Sequence, residues 1–587
     1  MKPTRSVAVL AALAASAMAA ALMTSAPASG VKPNVPSGKP PQRVLIVLFD
    51  QMLPQYANEF NMPNFRSVRD HGRSFSNAYL GYMASETVIA HNVISSGLLP
   101  KHMGYTDEAY RDAGDLFHKG ANAMHITGDF SLADFGTVQK NNGASYPKLA
   151  DYVDAARPGT KFITVGEKSY AVETAAAKGG PNDIAVRLGS RKAAYNANVD
   201  PNPNPTGCAN LGGAWRGPAG KNVPSYISAR DVTDPSLCGR FFINSDKGND
   251  YGTKSQFPSW LYPEEGNRFV PGNDPAHLGG DTWVADAAIS MMQNEPWGGM
   301  FVTLGAIDKM GHMWGAQADV APTDCTALNA MVHVKCAAEN ADVQLGKLLA
   351  EVDQVDAARG GKTLVVLTAD HGATYGANFY GKTTAGASDS NWYYAPADLG
   401  VYDAGAGAGA PDTDTYSHPS ADVAATLDDG NLQFSYQSTA IESWLRDHSD
   451  AMKMAGADNM LAMPGVIASY WRDGDHYVLD DTNSMSTSEQ AWWTLHGQEI
   501  VDSMAAPDGP DVIGLEHDRT SYGVYGDHGG AQESVQRVPM VFWIPGMQKG
   551  ASTRTFRTTD LMPTILSAMG ITQTDATDGL ARSLVLP

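Results

Sequence analysis

The sequence predicts an α/β protein with a mostly parallel central sheet and helices on both faces of that sheet. The first indication is a series of continuous apolar runs, which are typical of strands buried on both faces. These runs are RVLIVLFD (43–50), KFITVGEK (161–168), GMFVTLGAID (299–308), KTLVVLTAD (362–370) and VPMVFWIPG (538–546). The second indication is that helical patterns, such as YPKLADYVDAARPG and NADVQLGKLLAEVDQVDAARGG, separate the runs. Strands and helices that alternate in this way form parallel sheets.

The N-terminus has the layout of a secretory signal peptide, predicted over residues 1–28. Lys2 and Arg5 precede an alanine-rich apolar run that ends in the small residues APAS. An uncleaved membrane anchor is the alternative, but the run is rich in alanine rather than leucine, and no other segment has the composition of a membrane span. The mature protein is therefore expected to be exported, periplasmic or extracellular, with no stable membrane anchor.

The rest of the chain is interpreted as a linker followed by one domain with two insertions. Residues 29–41 are rich in proline and glycine, and residues 42–587 carry the alternating pattern. Two stretches fit that pattern poorly. Residues about 190–275 are rich in Asn, Pro, Gly and Trp. Residues about 376–515 combine Gly/Ala-rich and Asp-rich loops with STAIESWLRDHSDAMKM (438–454), which we interpret as helical.

The charge and the cysteines narrow the class of protein further. The formal net charge is −21, which argues against binding duplex nucleic acid by long-range attraction. An anionic substrate would need locally supplied positive charge, such as metal ions. An even number of cysteines in an exported chain predicts disulfides, and three pairings are possible. Proximity in the sequence favours Cys208–Cys238 and Cys325–Cys336; a tetrahedral zinc site is the alternative, but there is no C-x-x-C pair.

Acids and histidines collect where the predicted strands end. Three of the runs end in an acid: Asp50, Asp308 and Asp370. Because ligand sites in parallel α/β sheets form beyond the carboxyl ends of the strands, these acids are expected to converge. A D-x-x-x-H segment and two D-H-G motifs add three histidines: His312, His371 and His528. The alternative is that each acid is an ordinary turn former or helix cap and each histidine an ordinary core residue.

Carboxylates combined with imidazoles suit zinc or a comparable divalent ion such as manganese. Together with the hydroxyl of Thr87, which begins a helical pattern in ETVIAHNVISSG, seven ligands suffice for two metals with open positions. Two metals can hold the attacking and the leaving oxygen of an in-line displacement at phosphorus. Thr87 is therefore either the cap of a helix or a nucleophile.

These motifs, in this order, resemble the alkaline phosphatase superfamily and, within it, the type I phosphodiesterase/nucleotide pyrophosphatase branch. The resemblance covers most of 43–587 outside the two insertions. It rests on VLIVLFD, ETVIAHNVISSGLLPKHMG, IDKMGHMWG, TADHGA, GDHGG and TTDLMPTILSAMGI. It implies an alkaline phosphatase-like fold and an exported metal-dependent phosphoester hydrolase that forms a phospho-threonine at Thr87. It also implies two metals, usually zinc: one bound by Asp308, His312 and His528, and the other by Asp50, Asp370, His371 and Thr87.

The chain departs from the family's pattern near the phosphate. Where the family often carries an asparagine, this chain has YTDEAY, which puts Asp107 or Glu108 there. A carboxylate would repel phosphate unless it is protonated, paired or turned away. Monoesterase-like members carry a lysine followed two residues later by a second cation, whereas this chain has Lys168 and Tyr170.

The missing second cation favours a small diester or nucleotide substrate, with Lys168, Tyr170 and Glu108 as the expected substrate contacts. A phosphomonoesterase and a non-catalytic metal-binding surface protein are the alternatives. The oligomeric state is left open.

Overall fold

The computed structural model describes residues 39–176, 183–187, 219–227, 278–308, 311, 316, 334–374, 378–379, 431–522 and 526–585. The predicted signal peptide, His312, three of the four cysteines and most of the first predicted insertion lie outside these residues. The described cysteine, Cys336, is buried in a helix, and the pairing of the four cysteines stays a prediction. Among the described residues, no helix is both long and apolar enough to cross a membrane.

The described residues form eighteen strands and thirteen α-helices. The strands are β1 (Arg43–Phe49), β2 (Arg73–Tyr79), β3 (Ala109–Asp112), β4 (Ala123–Ile126), β5 (Lys161–Gly166), β6 (Ile184–Arg187), β7 (Ala219–Lys221), β8 (Trp297–Leu304), β9 (Thr363–Thr368), β10 (Asn378–Phe379), β11 (Leu432–Gln437), β12 (Ala440–Leu445), β13 (Val466–Asp473), β14 (His476–Thr482), β15 (Val512–Glu516), β16 (Thr520–Ser521), β17 (Met540–Trp543) and β18 (Gly550–Arg557). The helices are α1 (Tyr56–Glu59), α2 (Pro63–His71), α3 (Thr87–Ser96), α4 (Pro100–Met103), α5 (Leu132–Val138), α6 (Leu149–Ala156), α7 (Ser169–Ala175), α8 (Leu278–Asn294), α9 (Val334–Arg359), α10 (Asp450–Met460), α11 (Thr487–Asp502), α12 (Glu533–Gln536) and α13 (Leu561–Met569).

Nine strands form the main sheet, in the order β18-β2-β17-β9-β1-β8-β5-β6-β7. Strand β1 lies at its centre and pairs in parallel with both β8 and β9. Within this sheet, β17 runs against β2 and β9, and β7 runs against β6. The prediction of a mostly parallel sheet is therefore confirmed.

The central strand explains why the predicted runs are apolar throughout. Successive side chains of a strand point to opposite faces, so a strand covered on both faces needs apolar residues at every position. Val44, Ile46 and Leu48 pack with residues of α6 and α13 on one face. Leu45, Val47 and Phe49 pack with residues of α2, α8 and α9 on the other. The prediction of helices on both faces is confirmed.

All five predicted strands form, and the sequence-based interpretation missed the strands nearer the edges of the sheet. β2 has the sequence RSFSNAY, in which polar residues interrupt the apolar ones, and only part of it is buried. β18, at the edge, has the sequence GASTRTFR and is mostly half-buried or exposed. Strands that face solvent need no continuous apolar run, so these two lacked the signal used to find the others.

The interpretation of 438–454 as helical was wrong in its first half. Ala440–Leu445 is the strand β12, and the helix α10 begins only at Asp450. β12 lies between β11 and β15 in a five-stranded antiparallel sheet of order β11-β12-β15-β13-β14. All six of its residues are buried. Backbone pairing on both sides, which short-range periodicity does not report, therefore decides its conformation.

Candidate active site

Asp50 and Asp370 lie side by side at the carboxyl edge of the main sheet. The parallel pairing of β1 with β9 sets Leu48 opposite Thr368. Continuing that register by two residues brings the two acids opposite each other. Both are fully buried. Since an isolated buried carboxylate is costly, two of them at one place require compensating positive charge.

Two histidines present the same ring nitrogen to this edge. The Nδ1 of His371 lies 3.0 Å from the carbonyl oxygen of Gly372, and the Nδ1 of His528 lies 3.0 Å from the carbonyl oxygen of Ser85. A carbonyl oxygen only accepts, so each Nδ1 carries a proton and donates it. The two rings stack with their centroids 3.7 Å apart. Each Nε2 therefore points toward the acids, as in histidines that bind metals.

The donor atoms fit divalent cations. The Nε2 of His371 lies 3.6 Å from Asp50 Oδ1 and 3.5 Å from Asp370 Oδ2. Asp370 Oδ2 accepts no hydrogen bond from any described residue. When the imidazole is neutral, lone pairs of nitrogen and oxygen face one another, and a bound cation relieves this repulsion. A mixture of imidazole and carboxylate donors at this spacing suits zinc.

A second group of donors lies next to the first. His528 Nε2 lies 3.4 Å from Asp308 Oδ1. Asp308, His371 and His528 offer three donor atoms within 4.8 Å of one another, as do Asp50, Asp370 and His371. The described residues of both predicted ligand sets therefore come together, with His371 common to the two groups. His312 lies outside the described residues, so its role stays a prediction, as do the ligand roles of the others.

Thr87 begins helix α3 and points into this cluster. The residue before it, Glu86, has extended backbone angles (φ −115°, ψ 151°) and makes no side-chain capping hydrogen bond. The hydroxyl oxygen of Thr87 lies 3.5 Å from Asp50 Oδ1 and 3.4 Å from His371 Nε2. Thr87 is thus the first helical residue rather than the cap, and its hydroxyl faces the site.

His91, one helical turn after Thr87, fixes the start of α3. Its Nδ1 lies 2.8 Å from the carbonyl oxygen of Thr87, and its Nε2 lies 2.8 Å from the hydroxyl of Thr303 on β8. Burial lowers the pKa of His91 to about 3, so the ring is neutral at physiological pH. It donates through Nδ1 and accepts through Nε2, and so ties the helix to the sheet.

Lys168 brings a positive charge to the same place. It is buried, and its Nζ lies 2.5 Å from Asp308 Oδ2, 2.8 Å from Asp50 Oδ2 and 3.2 Å from the hydroxyl oxygen of Thr87. Burial alone would lower the pKa of Lys168, but Asp308 and Asp50 outweigh burial and raise it well above the usual value. The side chain is therefore a charged donor at neutral pH.

Burial and neighbouring charges also shift the pKa values of Asp370, Asp50 and His528. Burial, with repulsion from Asp308, raises the pKa of Asp370 to about 6, although Lys168 opposes the rise. Burial and repulsion from Asp370 raise the pKa of Asp50 well above its usual value. For His528, burial lowers the pKa, but Glu86 and Asp308 outweigh burial and hold it well above the usual range. Protons and metal ions therefore compete for these groups.

Tyr170 lies near Lys168, and Tyr170 and Glu108 both lie near Gly128. The Nζ of Lys168 stands 5.9 Å from the centroid of the Tyr170 ring. Glu108 Oε2 accepts a hydrogen bond of 2.9 Å from the hydroxyl of Tyr436, on β11 of the second sheet. A Cβ on Gly128 would lie 3.7 Å from Glu108 and 3.9 Å from Tyr170, so both residues adjoin that glycine. Their roles as substrate contacts stay predictions.

Asp107, the other acid of YTDEAY, does not present a full negative charge to a phosphate. Asp107 is fully buried, and burial, with repulsion from Glu86, raises its pKa to about 7 against a hydrogen bond with Glu442. It is therefore partly protonated at neutral pH. With Glu108 bonded to Tyr436, neither acid stands as a free surface carboxylate.

Glu86 orients His528, although it belongs to none of the predicted ligand sets. Glu86 Oε2 lies 3.1 Å from His528 Nδ1, the nitrogen that also faces the carbonyl oxygen of Ser85. A Cβ on Gly529 would lie 2.0 Å from Glu86 Oε1, and Gly529 has a φ of +87°. The available signals were an acid directly before Thr87 and the glycine of D-H-G, Gly529.

Replacing Glu86 with alanine is expected to weaken zinc binding by about 10- to 100-fold, the range typical for partners that orient a metal-binding histidine. The variant Glu86→Gln keeps an oxygen that accepts from Nδ1–H, so its loss is expected to be smaller. Competition with a chelator of known affinity measures both variants. Unchanged zinc affinity in Glu86→Ala would contradict the role.

Comparison with known proteins identifies the fold. No protein-family model and no curated protein matches the sequence. The structure resembles wild-type alkaline phosphatase PafA, with a TM-score of 0.54 and 15% identity over 94% of this chain and 100% of that chain. A PafA mutant with four substitutions gives a TM-score of 0.55 at 14% identity. Murine ectonucleotide pyrophosphatase/phosphodiesterase 5 gives a TM-score of 0.48 at 10% identity, over 92% and 97% of the two chains. The chain has the alkaline phosphatase-like α/β fold, as the sequence predicted.

Proposed function

We propose that this protein is an exported, metal-dependent hydrolase of phosphate esters that works through a phospho-threonine at Thr87. One observation carries the proposal: the Thr87 hydroxyl lies at the start of a buried helix, 3.5 Å from Asp50 and 3.4 Å from His371. A neutral hydroxyl is a weak nucleophile, and coordination to a metal ion held by such neighbouring groups would be one means of activating it. The fold and the ordered motifs agree with this assignment.

The donor groups already described would hold two divalent ions, of which zinc fits carboxylates and imidazoles well. One ion would be bound by Asp308, His312 and His528, and the other by Asp50, Asp370, His371 and Thr87. Bound there, such ions would lower the pKa of the threonine hydroxyl and polarise a phosphoryl oxygen.

The proposed reaction has two half-reactions. In the first, Thr87 Oγ1 gives up its proton and forms a bond to phosphorus while the bond from phosphorus to the leaving oxygen breaks, and the leaving group takes up a proton and departs as an alcohol or nucleotide. In the second, water gives up a proton and forms a bond to phosphorus, the bond to Oγ1 breaks and Oγ1 regains a proton, and the product leaves as phosphate from a monoester or as a phosphate monoester from a diester. The free N–H groups in the first turn of α3 favour a phosphate at that helix end.

Lys168 would stabilise the transferring group rather than act as the base. Its Nζ already forms ion pairs with the carboxylates of Asp308 and Asp50, which makes it a cation rather than a proton acceptor for Thr87. Its Nζ is 3.2 Å from Thr87 Oγ1, where it can donate to an oxygen as negative charge develops.

Diesters or nucleotides are proposed as the substrates, because a second cation two residues after Lys168 is absent and Tyr170 stands there instead. The second candidate is a phosphomonoesterase. The position of Lys168 favours it, because a buried ammonium beside the nucleophile suits the additional negative charge of a monoester.

Rates on the zinc-loaded protein distinguish the candidates. We expect an aryl phosphate diester or a nucleotide to be hydrolysed faster than the matching aryl monoester. Lys168→Ala is expected to lower kcat/KM by roughly 10²-fold, more for the monoester than for the diester, since its ammonium meets the transferring oxygens. Lys140→Ala is the control: Lys140 is half-buried, its ammonium donates to the hydroxyl of Ser145, and the change should leave both rates unchanged.

A strong preference for the monoester would replace the first candidate with the second while leaving the site as described. Zinc binding at full stoichiometry with no hydrolysis of any of the three substrates would contradict an esterase. The remaining alternative would then be a non-catalytic metal-binding protein.

Export after cleavage at residue 28, one domain over 42–587 with two insertions, and the two cysteine pairings belong to the same proposal. They rest on the sequence patterns alone. N-terminal sequencing of the mature protein and mass mapping of its cysteine peptides test them directly.

A further inference from the structure

Gln51, the residue directly after Asp50, has an unusual backbone conformation. Its φ is +63°, in the left-handed region that residues other than glycine rarely adopt. The side chain is almost fully buried, at 1% exposure. The surrounding structure must impose such a conformation on a buried residue.

The backbone of Gln51 binds one of the candidate metal ligands. Its N–H donates a hydrogen bond of 3.1 Å to Asp370 Oδ1, the oxygen that also accepts from the N–H of His371 at 3.0 Å. These two donors hold Asp370 Oδ1 and leave Oδ2 to face His371 Nε2.

The side chain of Gln51 reaches two further segments. Its Nε2 donates a hydrogen bond of 2.7 Å to the carbonyl oxygen of Gly526, two residues before His528. Its Oε1 lies so close to Gly311 that a Cβ on that residue would stand 1.8 Å away. Gly311 directly precedes His312, so the glycine of D-x-x-G-H is explained by the close approach of this amide.

We propose that Gln51 is a positioning residue that joins the segments carrying both sets of metal ligands, an inference that rests on the proposed metal site. Its backbone is continuous with Asp50, its N–H donates to Asp370, and its amide donates to Gly526, two residues before His528, and adjoins Gly311, which precedes His312 in the sequence. Gln51 touches no substrate in this role. Its N–H acts on the ligand set that contains Asp370, and its side-chain amide acts on the set that contains His528.

The substitution Gln51→Gly separates this role from a merely structural one. Glycine accepts a φ of +63° without strain, so the turn persists while the amide is lost. We expect the affinity for the ion bound by Asp308, His312 and His528 to fall by about 10- to 100-fold, in the range seen for other groups that orient metal ligands. The affinity for the other ion should stay near the wild-type value, because glycine keeps the backbone N–H that binds Asp370. Chelator competition measures the affinities, and melting of the chelated protein should change by no more than a few degrees.

Asn142→Gly is the matched control. Asn142 has a φ of +48° in an exposed turn, so the same change is made at a left-handed residue outside the described metal-ligand clusters. Its zinc affinities should equal those of the wild type. Gln51→Glu supplies a second variant that keeps the length of the side chain but removes the N–H donor, and it should weaken zinc binding as well.

Wild-type zinc affinities in both Gln51 variants would overturn the inference, whatever the activity. Weakened binding of only the ion bound by Asp50, Asp370 and His371 would also overturn it, because the amide contacts the segments next to His528 and His312. If the wild-type protein binds zinc but hydrolyses no phosphate ester, and Gln51→Gly still weakens the ion of the His528 set, the inference stands although the proposed function fails.

Discussion

Replacing Thr87 with alanine is expected to lower kcat/KM for phosphate esters by roughly 10³-fold or more, because the reaction then lacks the oxygen that bonds to phosphorus. The protein should still fold, since Thr87 is the first helical residue and its side chain does not cap α3. Steady-state kinetics on protein of measured zinc content checks this result. Phospho-Thr87 should be detectable by mass spectrometry after an acid quench of the wild type.

Thr87→Ser is the control for this experiment. It keeps a hydroxyl at the same atom, so it is expected to retain most of the activity and the covalent phosphate. If Thr87 only stabilised the helix, alanine would lower the melting temperature and leave turnover intact. That pattern would remove the nucleophile from the proposed mechanism.

Zinc is expected to stabilise the protein increasingly as the pH rises from about 5 to 8. Burial raises the pKa of Asp370 to about 6 and raises that of Asp50 well above its usual value, and the pKa of His528 also lies above its usual range. Each of these groups stabilises the metal-free fold at a pH below its unfolded pKa, and this contribution is lost as the pH rises through its folded pKa. Zinc takes the place of the protons, so it binds more tightly as they dissociate.

The measurement is the difference in melting temperature between zinc-loaded and chelated protein across that pH range. A free zinc concentration 1,000-fold above Kd corresponds to about 4 kcal/mol of stabilisation per ion. Asp370→Asn, which has no carboxylate to protonate, should flatten the pH dependence. A difference that stays constant or shrinks between pH 5 and 8 would contradict competition between protons and metal at these groups.

Much of the fold could be predicted because its central strands carry a local signal. A strand covered on both faces must be apolar at nearly every position, as β1 is. Each such run can be recognised in the sequence without knowledge of its neighbours. The convergence of Asp50 and Asp370 could also be predicted, because neighbouring parallel strands end at the same edge of a sheet. By contrast, β12 was interpreted as a helix, since its six buried residues are explained only by the strands on either side.

The acids, the histidines and Thr87 were identified from residue type, order and spacing along the chain, all of which are properties of short segments. The contacts of Glu86 with His528 and of Gln51 with Gly526 join residues more than 400 positions apart. No local pattern encodes such pairs, because they depend on how distant loops meet once the sheet has formed. The chain's order of residues therefore determined the strands and the chemistry available at their ends, and folding in three dimensions determined which side chains hold that chemistry in place.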